Sequence, residues 1–265
     1  MTESVLSALS SASPWRDRIQ YFPAIGSTND VLKTLAKQGA PHGTAILAGS
    51  QTNGHGRMGR SFHSPEGMGI YLSILLRPAC IPAELMHLTC AAAVAMCEAV
   101  EKTAGFRPGI KWTNDLVSGS KKLGGILTEL GLSPKGTVDY AIIGIGINCC
   151  QQESDFPEDI REIAASLDMI TGRKNSPAAL AAAMLDALYR MDTRLLTEKE
   201  QILAEYRKDC ITIGQNISVV RGDEIRHGTA LDIDRDGALV VKFDDDSVAA
   251  VNSGEVSIRG MYGYV

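Results

Sequence analysis

Apolar residues recur along the chain with two periods, and the switches between them divide it into elements. Apolar runs over 18–25, 44–48 and 70–76 read as strands, the last ended by Pro78. Between the first two, Ser27, Thr28, Asn29 and Asp30 form a cluster of helix-capping residues. Val31, Leu32, Leu35 and Ala36 follow at helical spacing up to Gly39. An Ala-rich helix is predicted from 82 to about 102, burying Leu85, Leu88, Ala92, Ala95, Met96 and Ala99, with Gly105 beyond its end. Strands over 110–112, 125–130 and 140–148 come next, joined near Gly119-Ser120 and over 133–136 by connections short enough for hairpins. Helices are predicted over 160–171, 177–196 and 198–210, the second opened by Ser176 as cap and Pro177 in its first turn.

Beyond Cys210 the pattern changes. Short strands over 217–220, 229–232, 239–243, 248–251 and 256–258 are punctuated by Gly222-Asp223, Asp236-Gly237 and Asp244-Asp245-Asp246. Such a run of short strands predicts a small barrel, and a boundary near 211 divides the chain into domains 1–210 and 211–265. Strands and helices of the first part do not alternate as βαβ units. The expected fold is therefore α+β, with a mixed, mostly antiparallel sheet and flanking helices. The Ser-rich start, up to about residue 15, is expected to fray.

Composition narrows the function classes. With 45% hydrophobic and 22% charged residues, a chain of 265 residues can fill a sizeable core. A net charge of -5 argues against a protein whose main task is gripping DNA, because phosphate contacts demand a basic surplus. Basic residues concentrate instead over 57–60 and 111–122. The start lacks the basic and long apolar regions of a secretory signal, and the apolar stretch 85–100 carries His87 and Glu98, so no bilayer span is expected and the cytosol is the default. Cys80, Cys90, Cys97, Cys149, Cys150 and Cys210 form no CxxC pair and no zinc spacing, and read as buried thiols.

Two segments carry candidate chemistry. Gly54-His55-Gly56-Arg57-Met58-Gly59 matches GxGxxG, but Arg60, Ser61, Phe62, His63, Ser64 and Pro65 follow, which do not form the helix a dinucleotide site needs. The better reading is a glycine-rich loop that orders over a ligand and presents Arg57 and Arg60 to phosphate; the alternative is a solvated surface loop. The second segment is Lys111-Trp112-Thr113-Asn114-Asp115-Leu116, followed by Lys121-Lys122-Leu123-Gly124-Gly125-Ile126-Leu127. It brings a cation and a carboxylate to one end of a hairpin. The residues alone leave turn chemistry and function equally open.

With these motifs in view, the sequence resembles the biotin protein ligases. Ser27-Thr28-Asn29 looks like the family's STN, and Gln51 leads into a loop similar to its GRGRxGR. Lys111 to Leu116 looks like KWPNDL, Lys122 to Leu127 resembles KLxGIL, and Gly144-Ile145-Gly146-Ile147-Asn148 looks like GxGIN. The motifs occur in family order, and the likeness covers about residues 20 to 260. It implies a catalytic domain like those of class II aminoacyl-tRNA synthetases and biotin synthetases, plus an SH3-like C-terminal domain whose role stays open. Three departures stand out. His55 replaces an arginine, Thr113 replaces a proline, and only about 20 residues precede the first strand. That leaves no room for the helix-turn-helix of bifunctional members, so a repressor role is not expected.

The resemblance implies a two-step reaction: biotin and ATP give biotinyl-5′-AMP, and a lysine of a biotin carboxyl carrier domain then takes the biotinyl group. It assigns Lys122, Arg57 and Asp115 to catalysis, with Asp115 orienting the acceptor lysine. Biotin binding falls to Ser27, Thr28, Asn29, Gln51, Gly54, His55, Gly56, Arg57, Lys122, Gly124 and Gly125. Ser27 to Asn29 can equally be a helix cap, and the two roles can coexist. Contacts to ATP and adenylate are implied for Arg57, Arg60, Phe62, Lys111, Trp112, Asn114 and Asn148, the last being either a support of the site or a strand-end turn residue. Magnesium accompanies ATP with no protein ligand assigned. A homodimer is admissible; neither DNA nor membrane is expected as a partner. The rival enzyme readings are a lipoate ligase and an octanoyltransferase, and the rival outside enzymes is a biotin-sensing regulator. His42, His63, His87 and His227 receive no role.

Overall fold

The computed structural model describes residues 2–9, 13–252 and 257–260. A short helix, α1 (Thr2–Ala8), is followed by β1 (Ile19–Phe22), α2 (Thr28–Lys37), β2 (Ala45–Ala48) and β3 (Gly69–Leu76). Then come α3 (Leu88–Ala104), the short strands β4 (Gly109–Lys111) and β5 (Asp115–Ser118), and a long hairpin of β6 (Lys121–Leu132) and β7 (Val138–Asn148). Helices α4 (Leu167–Thr171), α5 (Pro177–Arg194) and α6 (Lys199–Asp209) precede β8 (Asn216–Arg221), β9 (Glu224–Ile233), β10 (Leu239–Phe243), β11 (Val248–Val251) and β12 (Ser257–Gly260).

Seven strands form one sheet in the order β1-β2-β3-β7-β6-β5-β4. Only the β1–β2 pairing is parallel, so the sheet is mixed and mostly antiparallel, as the sequence pattern implies. The last five strands make a separate antiparallel sheet in the order β11-β10-β9-β8-β12.

Successive side chains on a strand face opposite sides, and β3 shows what this does to the large sheet. Ile70, Leu72, Ile74 and Leu76 enter the main core, which α3 and α5 cover. Leu75 faces the other side, where α2 packs Leu32 and Ala36 against Ile46, Leu75 and Ile142. On β7, Ala141, Ile143, Ile145 and Ile147 likewise enter the main core. The alternate positions Gly144, Gly146 and Asn148 share the α2 face with Ile142. Beside α2, that face is left with little of its own to bury.

Three local expectations need correction. The Ser-rich start is not all frayed: α1 docks on α5, burying Val5 and Leu9, and Trp15 is buried behind it. Residues 10–12 and Val256, where the last strand was expected to begin, lie outside the described residues. The helix expected over 160–171 is confined to Leu167–Thr171, because Ser166 Oγ accepts from the Met169 amide at 3.2 Å and caps it there. Finally, β5 is a strand in its own right, and β6 starts at Lys121, not at Gly125.

Trp15 pins the N-terminal segment. It is 2% exposed, and its ring meets Tyr189 edge-on at 5.3 Å between centroids. Trp15→Ala is expected to cost about 3–5 kcal/mol of unfolding free energy, measured by urea denaturation. A loss below about 1 kcal/mol would show that this segment is not part of the cooperative fold.

Candidate active site

The register of the large sheet lays out the floor of a cleft of about 250 Å³. Asp115 pairs with Gly125, Gly125 with Gly146, and Gly146 with Tyr71, so these residues form one row on the α2 face. The next row runs Leu127, Gly144, Ser73. A glycine inside a strand sacrifices packing, and here each gap is occupied. A Cβ on Gly146 would lie 2.5 Å from the Phe62 ring, and one on Gly144 would overlap the Asn29 carboxamide. A Cβ on Gly125 would sit 3.3 Å from Asp115 Oδ1 and 3.4 Å from Lys122 Nζ.

One end of the cleft is polar and neutral. Ser27 takes the N-cap position of α2, yet its side chain makes no capping bond, so its buried hydroxyl is presented to the cleft. Gln51 Oε1 accepts instead from the Thr28 amide at 2.9 Å and from Thr28 Oγ1 at 3.0 Å. Ser73 Oγ lies 2.7 Å from Thr28 Oγ1 and 2.5 Å from Asn29 Oδ1. Asn29 Nδ2 donates to Glu129 Oε2 at 2.8 Å, and Glu129 is held by Lys33 at 2.6 Å. The Ser27–Asn29 cluster is thus a helix start whose side chains serve the cleft.

The other end is charged. Lys122 Nζ donates to Asp115 Oδ1 at 2.6 Å, across the Gly125 gap. Asn114 Nδ2 reaches the same oxygen at 3.1 Å, and Asn114 Oδ1 accepts from Arg57 Nη1 at 2.8 Å. The glycine-rich loop therefore meets the β5–β6 hairpin through a continuous polar chain. Burial pulls the Arg57 guanidinium below its ordinary range, with Asp115 opposing and Arg60 adding to the shift. A guanidinium stays charged through such a change. Lys111, buried, lines the same end.

The loop is folded on itself, with the Gly56 amide donating to Arg60 O at 2.6 Å and the Phe62 amide to Gly54 O at 2.9 Å. No helix of the dinucleotide type follows it; residues Arg57–Gly59 make a single tight turn. The imidazole of His55 turns to α2, with Nε2 2.8 Å from Asp30 Oδ2, and is not a bare substitute for an arginine. A second segment closes the opposite wall. The Lys122 amide donates to Ile163 O at 2.6 Å and the Ala165 amide to Lys122 O at 2.9 Å, with Phe156, Ile160 and Ala164 in the lining. His63 Nε2 donates to Asp155 O at 3.1 Å and ties this segment to the glycine-rich loop.

Of the residues singled out in the sequence, Ser27, Thr28, Asn29, Gln51, His55, Gly56, Arg57, Arg60, Phe62, Lys111, Trp112, Asn114, Asp115, Lys122, Gly125 and Asn148 line this one cleft. Gly54 and Gly124 do not. Gly54 lets the loop close against Phe62 O and Ser64, while Gly124 faces the main-core side, where Gly146 O and Ile147 crowd it. Asn148 is a support: Nδ2 donates to Ala165 O at 3.1 Å and Oδ1 accepts from Gln151 at 3.2 Å. Sequence reasoning missed Ser73, Glu129, His63 and the 156–164 wall. A signal existed for the first, a lone serine in the apolar run Ile70-Tyr71-Leu72-Ser73-Ile74-Leu75-Leu76.

Comparison with known proteins gives a consistent picture. Residues 21–148 match the model of the biotin/lipoate A/B protein ligase family, and residues 212–259 match that of the biotin protein ligase C terminal domain. The chain is 34% identical over 239 residues to the bifunctional ligase/repressor BirA of Bacillus subtilis, covering 90% of this chain and 73% of the relative. It is 29% identical over 254 residues to the biotin–[acetyl-CoA-carboxylase] ligase of Mycobacterium tuberculosis, covering 94% and 91%. The solved biotin protein ligase of Aquifex aeolicus in complex with biotin and ATP superposes with a TM-score of 0.77 at 28% identity, over 92% of this chain and 99% of that one.

The floor geometry makes a direct prediction. In Gly144→Ala the new methyl must displace the Asn29 carboxamide from Ser73 and Glu129. Overpacking of this kind is expected to cost about 1–3 kcal/mol, read from denaturant unfolding. An unchanged midpoint would mean that Asn29 is not held where it is described.

Proposed function

The chain belongs to the biotin protein ligase family, and on that premise we propose that it is an ATP-dependent biotin–[acetyl-CoA-carboxylase] ligase whose two chemical steps take place in the cleft over Gly125, Gly144 and Gly146. The observation that carries this reading is the meeting of Arg57, Asn114, Asp115 and Lys122 beside a neutral polar pocket. A flat, polar ring such as the biotin ureido group suits the Ser27, Thr28 and Gln51 end, where a free hydroxyl and a fixed carboxamide offer donor and acceptor. The biotin carboxylate then points toward Lys122.

In the first step a carboxylate oxygen attacks the α-phosphorus of ATP. A P–O bond forms, the bond to the β-phosphate bridge breaks, and pyrophosphate leaves. Two anions must approach, and negative charge gathers on the phosphorus oxygens. Fixed cations in a water-poor cleft stabilise that arrangement best. Lys122 and Arg57 supply them, with Arg60 and Lys111 toward the phosphates. Asp115 is the one carboxylate among the described residues lining the cleft, and it is bonded to Lys122. Magnesium accordingly enters on the phosphates of ATP as part of the substrate.

In the second step a lysine amine of a biotin carboxyl carrier domain attacks the acyl carbon, the C–O bond to AMP breaks, and AMP leaves with the electron pair. The attacking amine must be neutral. Asp115 lies where it can orient an incoming ammonium and receive its proton. Phe62 and the 156–164 wall keep water from the anhydride meanwhile.

We assign both steps to the N-terminal domain and read the C-terminal sheet of β8 to β12 as the SH3-like domain. A net charge of -5 and the acceptor chemistry favour a protein partner over DNA. All six cysteines are unpaired, which suits the reducing cytosol. The segment Pro82–Ala104 is long and apolar enough to cross a bilayer, but most of its apolar window is buried in the core. The neutral polar pocket at Ser27 and Gln51 favours the ureido ring of biotin over lipoate, whose dithiolane ring has no use for it.

Mixing the protein with biotin and MgATP is expected to release pyrophosphate, and no release would refute the enzyme reading. Lys122→Ala should lower adenylate formation by about a hundredfold or more with the unfolding midpoint retained; a parental rate would remove Lys122 from the first step. Asp115→Ala should slow biotin transfer to a carrier domain, followed by mass spectrometry, more than it slows pyrophosphate release. The reverse order would reassign that residue.

A further inference from the structure

Among the described residues, the C-terminal domain reaches the cleft's frame at a turn, residues 234–238. Gly237 O accepts from Trp112 Nε1 at 3.0 Å, and both residues are buried. Trp112 belongs to the segment that carries Lys111 into the cleft and leads directly to Asn114 and Asp115. The junction before β8 holds the same segment from behind. The Trp112 amide donates to Thr212 Oγ1 at 2.9 Å, the Ile211 amide to Ile110 O at 3.0 Å, and Tyr206 Oη to Thr113 O at 3.1 Å.

The turn itself is stiff. Asp234 Oδ1 accepts from the amides of Asp236 at 2.8 Å and Ala238 at 2.9 Å, while the Asp234 amide donates to Ala238 O at 2.9 Å. Gly237 has φ +85°, a conformation that disfavours side chains, and a Cβ there would lie 3.0 Å from Cys90 Sγ on α3. Gly237 is thus packed against α3 while its carbonyl holds the indole. An indole N–H buried without an acceptor is costly, so the ring stays where the carbonyl puts it.

From this geometry we infer that the 234–238 turn is a positioning element of the active site: Asp234 fixes the turn, Gly237 O fixes Trp112, and Trp112 sets the segment bearing Lys111, Asn114 and Asp115. The inference rests on the ligase reading and gives the C-terminal domain a task in the first step. Asp234 is a positioning residue, since it touches no reactant.

The test uses the full chain and single-turnover pyrophosphate release with biotin and MgATP. Asp234→Ala is expected to lower the rate constant of adenylate formation between about tenfold and a hundredfold. KM for biotin should stay as it is, because the Ser27–Gln51 end is untouched. Asp234→Asn, whose amide oxygen still accepts, is expected to restore the parental rate. Asp236→Ala, which removes the 2.7 Å pair with Lys199 from the same turn, should also keep it. Of the two indole N–H resonances in the NMR spectrum, the one missing in Trp112→Phe should exchange slowly in the parent and fast in Asp234→Ala. A parental rate in Asp234→Ala overturns the inference, as does an equal loss in Asp236→Ala, which would mark general loosening of the domain. If the parent releases no pyrophosphate, the ligase reading fails instead. The indole exchange then still decides: slow exchange kept in Asp234→Ala overturns the turn's hold on Trp112.

Discussion

Everything in the cleft depends on side chains that are missing from the middle of a sheet. Gly125, Gly144 and Gly146 lie on one face of the two central strands, and the space above them is what a ligand and its polar neighbours can use. Filling these positions with the valines or isoleucines usual in a central strand would join α2 to the sheet as ordinary core. The opposite face shows the ordinary solution: Ile143, Ile145 and Ile147 pack under α3 and α5. The same two strands are thus an anchor on one side and a platform on the other. The alternation of isoleucine and glycine in Ile143-Gly144-Ile145-Gly146-Ile147 encodes both.

Over that platform the charges are arranged in series. Arg57 belongs to the glycine-rich loop, Asn114 and Asp115 to β5 and the turn before it, and Lys122 to β6, so three separate stretches of chain must be in place for the series to close. Two of these stretches are rigid, being paired within the sheet and, through Trp112, fastened to the second domain. The third is held by side-chain contacts at its rim, His55 to Asp30 and His63 to Asp155 O. This division suits a catalyst that needs preorganised cations yet must admit a nucleotide.

Much of this was legible in the sequence, for identifiable reasons. Strand and helix periods located β3, α2, α3, α5 and the small second sheet, because each buries one regular stripe. The cluster of functional residues was legible as motifs, since glycine spacing and the Lys-Trp-Thr-Asn-Asp run are local. The failures are all non-local. Nothing near Gly124 says that it faces the core while Gly125 faces the cleft; their pairing with Ile147 and Gly146 on β7 decides that. The 160–166 stretch has helical composition and makes one turn on itself from Ile160 to Ala164, but Ile163 O and the Ala165 amide then bond to Lys122, which ends the turn there. His63 and Glu129 acquire partners 92 and 100 residues away, which no window of sequence contains. The Ser-rich start was expected to fray, but Val5 and Leu9 are buried where this segment docks on α5.

The backbone of Lys122 is itself hydrogen-bonded on both sides to the 163–165 stretch. That wall and the lysine therefore share one mechanical frame, which Asn148 braces further through Ala165. Swinging the wall outward would drag the ammonium off its post and break a short parallel ladder. An opening of the cleft that leaves Lys122 in place would therefore run through the glycine-rich loop, whose backbone bonds over 54–62 close on the loop itself.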